Sequence, residues 1–137
     1  MKKKIGEKKD LDPLANAMNS IKVAEKKGKQ KAVIKPASKV IREILILLQK
    51  EGFIGEFESL VDGKSGEFIV KLQGQINNCG VVRPSYSAKT TEFEKYEQRY
   101  LPAQGIGALI VSTNKGITTH TQALKENSGG KILAYVY

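Results

Sequence analysis

The chain has 137 residues, 40% of them hydrophobic, with five Tyr, four Phe and no Trp, enough for one domain or two small lobes around a modest core. Its single cysteine, Cys79, excludes an internal disulfide and a cysteine-based zinc site and fits a reducing compartment, and no apolar run approaches the roughly 20 residues needed to span a bilayer. The formal charge of +9 lies entirely at the front: residues 1–50 hold 14 basic and 5 acidic groups and residues 51–137 hold 9 of each, so nucleic acid or an anionic membrane surface is the expected partner of a soluble, intracellular protein.

Residues 1–10, "MKKKIGEKKD", are charged and poor in apolar side chains, and are expected to form a basic flexible arm; no apolar run follows to make a secretory signal. Residues 11–74 read as an α-β-α-β-β lobe. Asp12 as N-cap and Pro13 at the first helical position open a helix, because proline lacks only an N–H that would have no intrahelical partner there. Leu14, Ala17, Met18, Ile21 and Ala24 follow as one apolar stripe, Lys22, Lys26 and Lys27 lie opposite, and Gly28 is the stop.

The basic turn "KKGKQK", ending in Lys31, leads into a short strand, "AVIK". In "PASK", Pro36 ends that strand and Ser38 caps a second helix from Lys39 to about Glu51. Val40, Ile41, Ile44, Leu45, Leu47 and Leu48 make this helix apolar round much of its circumference and predict the most buried element, closed by Gly52. The segments "GEFESLV" and "EFIVKLQ" flank "DGKSG" as a hairpin, in which Phe68, Val70 and Leu72 alternate with polar neighbours.

The turn-rich "GQINNCG" marks the boundary with a second lobe, residues 75–137. There "VVRPSYS" reads as a strand interrupted by Pro84, hence an edge or a bulge. Thr91 and Glu94 have capping-box spacing, and Phe93, Tyr96 and Tyr100 share one face of a short helix that ends before Pro102. "GALIVST" is a buried strand, Thr118 or Thr119 caps a last helical turn reaching Asn127, and "GGKILAYVY" closes the chain as a strand. The expected class is α+β, an α-β-α-β-β lobe followed by a mostly antiparallel β lobe with short helices.

Catalytic patterns fail on inspection. A phosphate-binding loop built on "DGKSG" needs a glycine at residue 58, which is Glu58, and this segment joins two strands where the motif requires a helix to follow. "GIG" at 105–107 has Ile110 where a dinucleotide fingerprint needs its third glycine. His120 is the only histidine and reads as a polar residue at a helix entrance, so neither a triad nor a metal site has enough members. No enzyme and no cofactor are expected.

The segment "STNKG" directly after an apolar strand is better suited to contact. Ser112, Thr113 and Asn114 offer short donors and acceptors, and Gly116 lets backbone approach a partner closely, a combination able to read ribose hydroxyls, phosphates and minor-groove edges by shape rather than charge. The same residues favour a plain hairpin turn for local reasons, and pattern alone leaves both readings open.

The landmarks "DPLANAMNSI", "PASKVI", "EGFIGEFE", "INNCGVVRPSY", "LPAQGIGALIVSTNKG" and "GGKILAYVY", in that order from about Asp12 to Tyr137, resemble the universal small-subunit ribosomal protein number eight, called fifteen-a in eukaryotes. "GEFE", "NNCGV" and "GGKIL" are similar to its eukaryotic and archaeal branch. The resemblance implies a two-lobe α+β protein without enzymatic activity, bound to the central domain of small-subunit ribosomal RNA, needed early in its assembly, and in contact with neighbouring small-subunit proteins. The family's RNA-contacting loop falls on Ser112, Thr113, Asn114, Lys115 and Gly116, its front-lobe contacts on Pro36, Ser38 and Lys39, and a second RNA-facing strand on Arg83, Pro84, Ser85 and Tyr86. Lys22 and Lys31 are expected to add to the basic front surface. The chain departs from the pattern at Thr118, where an aliphatic residue is usual, at Asn114, where Ser or Ala is common, at Ser85, where Arg is frequent, and in its longer lysine arm. The runner-up is an RNA-binding assembly or translation-control factor using the same surface; a nucleotide-dependent enzyme is the rival from another class.

Overall fold

Helix α1 (Pro13–Lys26) begins at the expected proline and buries Ala17, Met18, Ile21 and Ala24, the stripe that helical spacing sets. In the computed structural model the described residues are 13–35, 38–60, 66–82, 87–103 and 105–137. The lysine arm, the Asp12 cap, Pro36, most of the "DGKSG" loop and the segment Arg83, Pro84, Ser85 and Tyr86 lie outside them. The chain divides into two units, between Asn77 and Asn78.

In the first unit α1 stops at Gly28, which adopts a left-handed φ of 71° while the Lys29 N–H bonds back to the Ala24 carbonyl. Strand β1 (Lys31–Ile34) follows, starting and ending one residue earlier than "AVIK" suggested, because the backbone pairing with the third strand begins at Lys31; Lys35, just beyond its end, pairs with Glu67 at 3.1 Å. Helix α2 (Lys39–Lys50) starts at Ser38, whose Oγ accepts the Ile41 N–H at 3.2 Å. Ile41, Ile44, Leu45, Leu47 and Leu48 are buried. Each such side chain contributes about 1.5–3 kcal/mol by leaving water. The cap contributes about 1 kcal/mol, so burial outweighs the cap in holding α2 and the cap fixes where it begins.

One expectation for α2 is corrected. Val40 and Ile46 are 45% and 48% exposed, so the apolar side chains that run round much of the helix are buried on one side only. It packs against the sheet through one face, on strand β2 (Ile54–Leu60), and side chains off that face stay in water whatever their polarity. Strand β3 (Glu67–Leu72) completes an antiparallel sheet of order β1-β3-β2. Ala32 pairs with Val70 and Ile34 with Phe68, placing the small and large members of the core on one face.

The second unit is built on strand β8 (Gly130–Val136). Along one edge it pairs with β4 (Cys79–Val81) and β5 (Ser87–Ala88), and along the other with β6 (Ala108–Thr113), which in turn pairs with β7 (Gly116–Thr119); all pairings are antiparallel. A short 3₁₀ turn (Thr90–Glu92) leads into helix α3 (Phe93–Tyr100), and helix α4 (His120–Lys125) follows β7. Phe93 and Tyr96 of α3 and Ala123 of α4 form one cluster with Leu109, Val111 and Ile132 of the sheet. The molecule is therefore α+β, with an α-β-α-β-β unit preceding a mostly antiparallel β unit that carries short helices.

Two local expectations shift. The reciprocal cap before α3 uses Glu92, whose Oε1 accepts the Lys89 N–H at 2.8 Å, and not Thr91 with Glu94, because the 3₁₀ turn starts the helical path earlier. Of the two threonines offered for the last cap, Thr119 takes the role, accepting the Gln122 N–H at 3.3 Å.

Candidate nucleic-acid interface

Strand β6 is buried from Ala108 through Val111 and only partly covered at Ser112 and Thr113, so the apolar run ends where the strand leaves the core. Thr113 pairs with Gly116, leaving Asn114 and Lys115 as a two-residue loop at the tip of a tight hairpin. "STNKG" is thus a hairpin turn, and the strand after it, β7, has no counterpart among the elements expected from periodicity.

The turn is closed by a side chain. Thr113 Oγ1 donates to the Gly116 carbonyl at 2.9 Å and accepts the Lys115 N–H at 3.1 Å. Its polar capacity is largely spent inside the loop. Neither Asn114 nor Lys115 has a positive φ, and the reversal is taken up by Gly116 at φ 123°, a conformation that side chains resist. A Cβ built at Gly116 would meet nothing within 4 Å, so this side of the turn is open as well as bare.

The remaining groups face outward or are half-covered. Asn114 and Lys115 are exposed. The Ser112 hydroxyl has no hydrogen-bond partner among the described residues, while its backbone lies in the ladder between Ile117 of β7 and Lys131 of β8. Gly130 makes that position possible: a Cβ there would collide with the Ser112 carbonyl oxygen. Below the turn, His120 opens α4 as expected but is buried, its Nδ1 accepting the Leu109 N–H of β6 at 3.1 Å. This bond ties the helix to the strand that presents the turn.

The first unit offers a separate surface. Asn19, Ser20 and Val23 of α1 and Lys29, Lys31 and Val33 of the following segment line a groove of about 360 Å³. Lys31 is exposed there, whereas Lys22 is half-buried and is not among the groove's lining residues. Lys31 also stands directly opposite Lys71 in the β1/β3 pairing. Like charges so placed destabilise a sheet, and Glu56 and Glu58, beside both lysines, offset part of that repulsion. Sequence reasoning missed Lys71, Asn19 and Ser20, which only strand register and the packing of α1 on β1 bring beside Lys31; Lys29 belongs to the basic turn already noted. At the start of α2, Ser38 uses its oxygen as a cap acceptor and keeps its O–H proton for a partner, and Lys39 beside it is exposed. Pro36, Arg83, Pro84, Ser85 and Tyr86 lie outside the described residues.

Among the described residues no group of three or more His, Cys, Asp or Glu side chains is placed to hold a metal ion, and no helix is long and apolar enough to cross a membrane. What the two units do offer is lysine, hydroxyl and amide groups on tight turns and helix ends, the chemistry of contact with phosphate and ribose. A family model described as ribosomal protein S8 matches residues 12–137, which takes in both units and every candidate contact named above. The chain belongs to the ribosomal protein S8 family and shares its structural, ribosomal-RNA-binding role.

Proposed function

We propose that the chain is a constituent of the small ribosomal subunit, of the eukaryotic and archaeal branch of its family, that binds the central domain of small-subunit ribosomal RNA and supports assembly of that domain. In this reading the turn Ser112, Thr113, Asn114, Lys115 and Gly116 grips an irregular RNA helix. The start of α2 at Ser38 and Lys39, with Pro36, supplies a second contact, and Arg83, Pro84, Ser85 and Tyr86 a third. Lys22 and Lys31, with Lys29 and Lys71, add attraction to phosphate. Neighbouring small-subunit proteins complete its surroundings in the cytoplasmic particle.

The observation that carries this reading is the division of labour inside the turn. Thr113 holds the loop shut, so Ser112, Asn114 and the open side of Gly116 are left for a partner and are held in fixed positions. Preorganised neutral donors of this kind select folded RNA by shape, which long-range charge does not do. The test is binding to a central-domain RNA fragment and to an arbitrary duplex of equal length. Ser112→Ala is expected to weaken binding to the first by about 1 kcal/mol, roughly fivefold, without changing the melting temperature or the duplex affinity. Equal losses for both RNAs, or a parallel fall in melting temperature, would reduce the turn to a structural element.

A further inference from the structure

The second unit has a cleft between α3 and α4 whose charged lining is acidic. Glu94, Glu97, His120, Thr121 and Leu124 line this cleft of about 470 Å³. Glu94 and Glu97 stand three residues apart on α3 and so share a helix face. Among the described residues that line the cleft they are the charged groups, while Lys95 and Arg99 of the same helix lie over the Tyr96 ring. Glu94 is exposed and has no ion-pair partner among the described residues. Leu124 adds an apolar wall that is 54% exposed.

His120 supplies an independent sign that something is received here. Its side chain is 6% exposed. Since Nδ1 accepts the Leu109 N–H, the neutral ring carries its proton on Nε2. That Nε2–H lies 3.3 Å from Glu97 Oε2 but lacks the geometry of a hydrogen bond, and it has no other partner among the described residues. A buried donor left in this condition is costly unless a visiting acceptor satisfies it.

We propose that the cleft seats an extended basic segment of another protein in the same particle, one that presents arginine or lysine next to an aliphatic residue. The inference rests on the ribosomal reading above. Two neighbouring carboxylates repel phosphate, so RNA does not lie on this wall, and in a particle dominated by RNA the complementary surface is a protein cation. An arginine fork placed between Glu94 and Glu97 makes charge-assisted bonds to both, a backbone carbonyl of the segment accepts from His120 Nε2, and the aliphatic side chain covers Leu124.

The test uses the full chain, isotopically labelled, titrated with the capped tetrapeptide Leu-Arg-Leu-Arg and with Leu-Glu-Leu-Glu as its control. The expected result is salt-sensitive amide shifts at Glu94, Glu97, Thr121 and Leu124 with the basic peptide alone. Glu94→Lys and Leu124→Ser, both at exposed positions, should each raise the dissociation constant at least about fivefold while leaving affinity for central-domain RNA within about twofold. Shifts elsewhere, or equal binding by wild type and Glu94→Lys, would overturn the proposal. A change of RNA affinity beyond about twofold in Glu94→Lys, a gain above all, would assign the cleft to RNA, and dimers dissolved by the same change would assign it to a second copy; either result defeats it. If the peptide binds as expected but central-domain RNA is not preferred over duplex, the functional reading fails and the cleft assignment stands.

Discussion

Thr113 and Ser112 are adjacent hydroxyl residues with different tasks, and the difference is physical. Thr113 makes two hydrogen bonds within its own loop, whereas Ser112 makes none with its side chain among the described residues. Thr113→Val keeps the volume and removes both bonds, so unfolding by urea should show a loss of about 1–2 kcal/mol, in contrast to the unchanged stability expected of Ser112→Ala. The sequence identified this cluster as a turn or a grip but did not divide the roles, because only the fold shows which oxygen faces the Lys115 N–H. Tyr135 makes a second residue-scale case. Desolvation raises its phenol above the ordinary value of 10.0, with smaller contributions from Tyr137, Cys79 and Tyr100. A group whose pKa is raised on folding contributes stability that is complete below the unfolded value and lost as pH climbs through the folded one. Stability should therefore decline above about pH 10. Tyr135→Phe should make that decline shallower, and an unchanged slope in chemical-denaturation curves would show that Tyr135 is not its source.

At the scale of elements, the order and type of the longer helices and strands were legible from periodicity, and short elements, edges and partners were not. The stripe on α1 and the alternation on β3 repeat at the helical and strand periods, so they are visible without tertiary information. Strand β7 was missed because "GITT" is four residues long with one aliphatic side chain, and it becomes a strand only by pairing with β6. Likewise Glu92 replaces Glu94 as the reciprocal cap because a 3₁₀ turn precedes α3, a shift of one helical start that spacing does not reveal. Gly130 reads in sequence as the start of the closing strand; in the sheet a Cβ there would collide with the Ser112 carbonyl oxygen of β6. Gly130→Ala should force the strands apart at Ser112, lower stability by about 1–3 kcal/mol as an overpacked core position does, and weaken RNA binding together with it. Normal melting with normal binding would mean that the strands part without strain.

For the whole molecule, charge supplies the clearest message. The entire surplus of +9 belongs to the first 50 residues, and five of those lysines stand in residues 2–9. Deleting residues 2–9 should flatten the dependence of binding on salt, by about 0.7–0.9 in slope for each phosphate that the shortened chain leaves unneutralised, while the preference for central-domain RNA over duplex persists. Loss of that preference would show that the arm itself discriminates. The acidic cleft was hidden at this scale: Glu94 and Glu97 are far in sequence from His120 and Leu124, and a neutral total for residues 51–137 conceals a patch of one sign.

The placement of β8 has a consequence for how the chain is made. A strand synthesised after all of its partners fills the middle of its sheet, with β4 and β5 along one side and β6 along the other. During synthesis the first unit can close as soon as β3 has emerged, but the apolar stretch Ala108–Val111 stays uncovered until β8 arrives. A chain halted before Gly130 should therefore expose the apolar part of β6, whereas the turn, which Thr113 closes within its own hairpin, does not draw its hydrogen bonds from β8.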